Sequence, residues 1–246
     1  MNALFEPRPT SPIISFCFDD GYAASCEAIA KMFEARGLAA SFCVVTDPAG
    51  SVDPFIKAGR IGDFGLWRDL AARGHEVMPH GNRHIHLGQV DEKAARDEVS
   101  MAVELFAEGM GIQTPESLIY HCAYNHLPQS MLAFMAERFI GVRAGQGNIG
   151  RNDLAWGAEA LVFDAAFPMP PDIGASARHY VCDLIEGSPA WLALCFHGLE
   201  PEGWGPIASD NLADLLDLCL SKGIRIAPPL ACIGSLSSSR PAGNAV

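Results

Sequence analysis

Pro12-Ile-Ile-Ser-Phe-Cys-Phe18, running straight into Asp19-Asp20-Gly21, sets the reading of this chain. A short apolar run rich in β-branched and aromatic residues reads as a buried strand. Its exit carries two carboxylates and a turn residue. About sixty residues on, a second apolar run leads into His80-Gly-Asn-Arg-His84. Together the fragments supply two carboxylates and two imidazoles. Two neutral imidazoles and one carboxylate suit a divalent transition metal with open coordination positions. The carboxylate left over is free to move protons, and that set points to metal-assisted hydrolysis.

Similar runs recur outward from this strand, at 39–45, 75–79, 117–122, 139–143, 160–164, 191–196 and 224–227. Between them lie stretches of helical period. Ile29, Met32 and Phe33 share a face in 22–36, and Val99, Val103, Phe106 and Met110 do so in the next, at 92–109. Leu212, Leu215, Leu216 and Cys219 repeat the pattern in 210–222, with Asp210 the predicted N-cap and Gly223 closing the helix. Alternating strand and helix predicts a parallel sheet, and seven or eight repeats predict its closure into a barrel. The expected organisation is one domain over 1–234 and a disordered tail over 235–246. Segment 47–64 reads as a long loop over the site, and 144–159 and 165–178 stay unassigned.

The chain has 246 residues, 49% of them apolar, and 17 basic against 29 acidic residues give a formal net charge of −12. Such a field repels phosphate backbones, so nucleic acid is not an expected partner. None of the eight cysteines forms a Cys-x-x-Cys pair. They read as small buried hydrophobes in a reducing compartment. No stretch approaches a membrane span and the start lacks a signal pattern, so a cytoplasmic location is expected. Homo-oligomerisation stays open.

The candidate groups share one position: Asp19 and Asp20 follow the first strand, and His80 the third. Tyr124 follows the fourth, Arg143 ends the fifth, and His197 follows the run at 191–196. Carboxyl ends of barrel strands open onto one face, where active sites assemble. Each group also has a plain alternative. An acidic pair before glycine is a common turn. A His-x-x-x-His pair reads as two rings on one side of a helical turn, with His75 and His86 as competitors. His197 is either a core residue or a proton donor. Tyr124 and Arg143 are equally compatible with strand ends making local contacts.

Phe18-Asp-Asp-Gly21, Gly74-His-Glu-Val-Met-Pro-His80-Gly-Asn-Arg-His84 and Leu194-Cys-Phe-His197 together resemble the first, second and Leu-x-x-His motifs of the polysaccharide deacetylase (NodB-homology, carbohydrate esterase four) family. The resemblance implies a distorted (β/α)7-8 barrel and a divalent metal, zinc first, with cobalt or nickel as alternatives. It implies Asp20, His80 and His84 as metal ligands, Asp19 as general base and His197 as proton donor to the leaving nitrogen. Tyr124, through a nearby backbone N–H, and Arg143 fall on the substrate or oxyanion side. The implied reaction removes an acyl group from an amide or ester, on an N-acylated sugar or another small amide. Ring-opening of a cyclic imide or hydantoin, and a metal-holding barrel without catalysis, are the rival readings. The chain departs from the pattern at Gly81, usually Ser or Thr. It departs again at His121-Cys-Ala-Tyr-Asn125, which lacks the third motif's arginine, and in having no fourth-motif aspartate. Loss of both charges is self-consistent, and Arg143 is the stand-in cation.

Overall fold

Strand β1 (Ile13–Phe18) is buried along its whole length. The computed structural model describes residues 11–113, 115–145, 149–154 and 161–237. The other strands are β2 (Ser41–Val44), β3 (Glu76–Pro79), β4 (Ile119–His121), β5 (Gly141–Arg143), β6 (Arg151–Asn152), β7 (Val162–Phe163), β8 (Trp191–Phe196) and β9 (Arg225–Ile226). The helices are α1 (Ala23–Glu34), α2 (Pro54–Ala58), α3 (Phe64–Ala72), α4 (Glu92–Met110), α5 (Leu132–Ala136), α6 (Ile173–Glu186), α7 (Ser209–Ser221) and α8 (Pro229–Ser237).

On one edge β1 pairs in parallel with β8 over six residues. On the other, β9 takes its first two residues and β2 its last two. Parallel pairing continues β1–β2–β3 and, separately, β4–β5–β7. An isolated parallel bridge from Ala166, three residues past β7, to Leu194 links that side to β8. The result is the expected distorted (β/α) barrel. Its distortion has two sources. Strand β6 lies antiparallel on β8, and among the described residues no ladder joins β3 to β4.

The apolar face of α1 explains its docking. Phe33 meets Phe16 and Phe18 edge-on, and Phe16, Phe18 and Phe196 stack on the outer side of the sheet. Each buried ring contributes about 2 kcal/mol. Inside the barrel the Trp191 indole N–H donates to Ser15 at 2.9 Å, which satisfies a donor that burial would otherwise strand.

Several expectations are corrected. Ala208, not Asp210, is the N-cap of α7, so Asp210 lies in the first turn, where the helix dipole favours it. Gly223 does follow the helix end, at φ 69°. Part of 165–178 begins α6, opened by an Asp172 side chain that accepts from Ala175 N–H. Gly174 obscured that helix in the sequence, yet a Cβ there would lie 2.2 Å from Asn211 of α7. Close helix packing therefore selects glycine. Helix α8 runs through Ser237, past the expected start of the tail, and 238–246 lie outside the described residues, as do 146–148 and 155–160 of the unassigned stretch and the first residue of the run at 160–164. The described cysteines are all free. No helix among the described residues is long and apolar enough to cross a membrane.

Candidate metal and active site

Asp19 and Asp20 leave β1 at the barrel mouth, both buried. His80 leaves β3 beside them. His80 Nε2 lies 3.7 Å and His84 Nε2 3.4 Å from Asp20 Oδ1, and the three ligand atoms fall within 4.8 Å of one another. Metal bonds of about 2.0–2.1 Å at tetrahedral angles need ligand atoms roughly 3.4 Å apart.

The far side of each ring fixes its tautomer. His80 Nδ1 is 2.9 Å from the His121 carbonyl oxygen, which can only accept. That carbonyl belongs to β4, facing the seam where β3 and β4 form no ladder. His84 Nδ1 is 3.1 Å from the Asp53 carboxylate. Both rings thus carry hydrogen on Nδ1 and turn the Nε2 lone pair toward Asp20, the arrangement that orients metal-binding imidazoles. Burial lowers His80 to about 3, only partly offset by Asp19, so its ring is neutral. Burial pushes Asp20 up despite the nearby imidazoles, and its Oδ1 has no hydrogen-bond partner. A buried carboxylate in that condition fits a cation.

His80 and His84 are not on a helical turn. Gly81 has φ 90° and His84 φ 57°, so the segment is a loop with left-handed backbone at those two residues. The buried Glu98 of α4 moulds it by accepting the amides of Asn82 and Arg83 at 2.9 and 2.7 Å. Left-handed backbone also accounts for glycine where the family pattern has Ser or Thr, since a β-carbon resists φ 90°. Of the five described non-glycine residues with positive φ, four border this site: Asp20, His84, Tyr124 and Asn125. Such strain persists where surrounding contacts over-determine it.

Arg143 is wholly buried. Its Nη1 and Nη2 donate to the two oxygens of Asp19 at 2.7 and 2.6 Å. Burial would raise the Asp19 carboxyl, but the Arg143 charge and hydrogen bonds hold it well below the usual range. Arg143 thus pairs with Asp19 inside the barrel and is not among the residues lining the cleft. Tyr124, at the exit of β4, packs its ring at a tilt against His84, centroids 4.8 Å apart, and donates its hydroxyl to Asp53 at 2.7 Å. The amides of Asn125 and His126 are taken by Cys122 and Ala123 carbonyls. His197, after β8, lines the same cleft, its ring edge-on to Trp204 at 5.4 Å. The loop carrying Trp204 is tied to α1 by Glu202, which accepts the Ser25 hydroxyl and amide.

Asp53 is the residue sequence reasoning missed. It caps α2 through the Phe55 and Ile56 amides while receiving His84 and Tyr124. Burial alone would raise it, but the hydrogen bonds from Tyr124 and from the Phe55 and Ile56 amides lower it. Asp-Pro within segment 47–64 signals a helix start, not a site. The competitors resolve by position. His75 sits at the amino end of β3, accepting the Ala40 amide. His86 stacks on His126 at 4.6 Å at the rim.

A second group, Cys17, Cys43 and His121, also offers ligand atoms within 4.8 Å. Arg143 Nη1 lies 3.9 Å from Cys43 Sγ. A guanidinium already holds the place where a second cation would be stabilised, so these residues read as barrel packing.

A family model described as polysaccharide deacetylase matches residues 6–132. No curated protein matches the sequence. Among solved structures the fold is similar to that of a protein from Mycobacterium smegmatis assigned as a polysaccharide deacetylase, at 14% identity, covering 98% of this chain and 95% of that chain, TM-score 0.70. It is also similar to an allantoinase, at 12% identity, 96% and 93% coverage, TM-score 0.69. A third is a peptidoglycan N-acetylglucosamine deacetylase, at 15% identity, 95% and 91% coverage, TM-score 0.62. At these identities the likeness is one of fold. The family match spans more than half of the chain and takes in Asp19, Asp20, His80 and His84, and on that ground the chain belongs to the polysaccharide deacetylase family.

Proposed function

We propose that this protein is a metal-dependent hydrolase of a carbon–nitrogen bond in a small amide. The observation that carries the reading is the Asp20–His80–His84 cluster, its two lone pairs aimed at an unpartnered carboxylate oxygen, with a second carboxylate 3.4 Å from His80 Nε2. A divalent metal held by Asp20, His80 and His84, zinc in the first instance, supplies Lewis acidity and an acidified water when bound.

The chain's own residues do the rest. Asp19, kept ionised by Arg143, takes a proton from the attacking water. A backbone N–H near Tyr124 is the donor assigned to the developing oxyanion. His197, facing the cleft from the end of the neighbouring β8, gives a proton to the departing nitrogen. Oxygen joins the carbonyl carbon, the C–N bond breaks, and the amine leaves neutral.

Amide hydrolysis is tested by exhaustive chelation followed by added zinc or cobalt. The reading expects loss and then recovery of turnover, and unchanged turnover after chelation refutes it. Asp19→Asn is expected to retain zinc while losing about 10²–10⁴-fold in rate. A rate near that of the unaltered protein would remove Asp19 from its role. A metal-holding barrel without catalysis would bind zinc yet leave every amide of a broad panel intact.

A further inference from the structure

Each imidazole of the metal site has a hydrogen-bond partner behind it. His80 is backed by the His121 carbonyl and His84 by the Asp53 carboxylate. Asp20 is not supported in this way, and its Oδ1 has no hydrogen-bond partner. Carboxylates that ligate metals are ordinarily held by hydrogen bonds of their own, and those outer partners set affinity.

Tyr22, the N-cap residue of α1, stands two positions further along the chain and is 1% exposed. Its hydroxyl is buried without a close hydrogen-bond partner, a condition that native interiors rarely tolerate. Burial pushes the hydroxyl's pKa up, and Asp20 adds more to the rise than Asp53 or Glu202 does. Burial likewise raises the Asp20 carboxyl, and the Tyr22 hydroxyl is among the groups that lower it. An uncommitted donor thus lies beside an undersupported ligand.

The Tyr22 ring is gripped at both edges, so its hydroxyl cannot swing away. A β-carbon at Gly59, the residue that closes α2, would overlap Tyr22 Cε1. One at Gly203, in the loop that carries Trp204, would lie 2.8 Å from Tyr22 Cε2. The hydroxyl-bearing carbon sits between those two ring atoms. Glycine permits this close approach of backbone on either side. An antiparallel bridge from Tyr22 to Ile61 ties the main chain as well. A donor held this firmly has little freedom left to lose when it pairs.

We propose that Tyr22 is a positioning residue for the metal, its hydroxyl donating to Asp20 and fixing that carboxylate as a ligand. This rests on the reading of Asp20, His80 and His84 as the metal site, and it is tested by binding rather than turnover. Tyr22→Phe keeps the gripped ring and removes only the hydroxyl. Its zinc affinity, measured by chelator competition, is expected to fall about 10–100-fold. The metal-free variant is expected to melt no lower than its parent, because an unpaired buried hydroxyl adds nothing to the fold. The visible absorption bands of the cobalt-saturated variant are expected to move, since Asp20 shares the ligand field with the two imidazoles.

Unchanged zinc affinity overturns the proposal, as do superimposable cobalt spectra. A metal-free variant that melts well below its parent also overturns it, because the hydroxyl then serves the fold. A parent chain that takes up no zinc contradicts the hydrolase reading and this proposal together. A parent that binds zinc, weakens in Tyr22→Phe as expected and yet cleaves no amide contradicts the hydrolase reading alone.

Discussion

Arg143 and Asp19, 124 residues apart, are joined by two parallel hydrogen bonds of 2.7 and 2.6 Å inside the barrel. The guanidinium comes from the end of β5 and the carboxylate from the exit of β1. One buried pair thereby holds the Asp19 carboxylate in orientation and keeps it charged. Removing one partner strands the other, which for buried pairs costs about 3–5 kcal/mol. Arg143→Met is therefore expected to lower unfolding stability in urea by about that amount. The double variant with Asp19→Asn is expected to regain most of it while staying inactive. An Arg143→Met protein as stable as the unaltered one would contradict the pairing.

Asp53 links three elements, and its charge is separable from its capping role. Asp53→Asn keeps an oxygen for the Phe55 and Ile56 amides but weakens the bond that turns His84. Zinc affinity, measured by chelator competition, is expected to fall about 10–100-fold. Tyr124→Phe is expected to produce a smaller loss in the same assay. Unchanged affinity in Asp53→Asn would mean that His84 is oriented without the carboxylate.

At the opposite end of the barrel, Glu76 gives a pH signature. Burial pushes its carboxyl up to about 7, against partial relief from the Ser41 hydroxyl and the Leu230 amide. Unfolded, the group titrates near 4.5. Between those values the folded chain holds a proton that the unfolded chain has released. Its stabilising contribution is fully present below about 4.5 and is lost as pH rises through about 7, on the order of 3 kcal/mol. Glu76→Gln is expected to flatten the fall in stability over that window. Parallel stability curves for the two proteins would exclude the effect.

Gly81 tests the loop that carries both imidazoles. A β-carbon there meets its nearest neighbour, Glu98 Oε1, at an ordinary 3.4 Å, so sterics with neighbours are not the obstacle. The backbone is, at φ 90°. Gly81→Ala is expected to cost about 1–2 kcal/mol in thermal unfolding and to weaken zinc binding alongside. A variant as stable as its parent would mean that the loop can leave the left-handed region.

What the sequence made legible was whatever sits on a strand or directly after it. PIISFCF into Asp19-Asp20, HEVMP into His80 and WLALCF into His197 carry their positions in local pattern, and barrel topology brings them to one mouth. Asp53 was hidden because its partners, His84 and Tyr124, lie 31 and 71 residues away, and its local signal was that of an ordinary helix cap. The left-handed turn of 80–84 was read as helical because His-x-x-x-His spacing is silent about φ. What sets it is Glu98, inside a helix whose apolar face alone was read. Helix α6 escaped because close packing against α7 placed a glycine where periodicity wants a larger residue.

Asp20, His80 and His84 are expected to gather round one cation beside Asp19, which an anomalous difference map from a crystal of the cobalt-loaded protein would show. One peak is expected about 2.0–2.2 Å from Asp20 Oδ1 and both Nε2 atoms. A fully loaded crystal with no peak there, or with its peak among Cys17, Cys43 and His121, would contradict it.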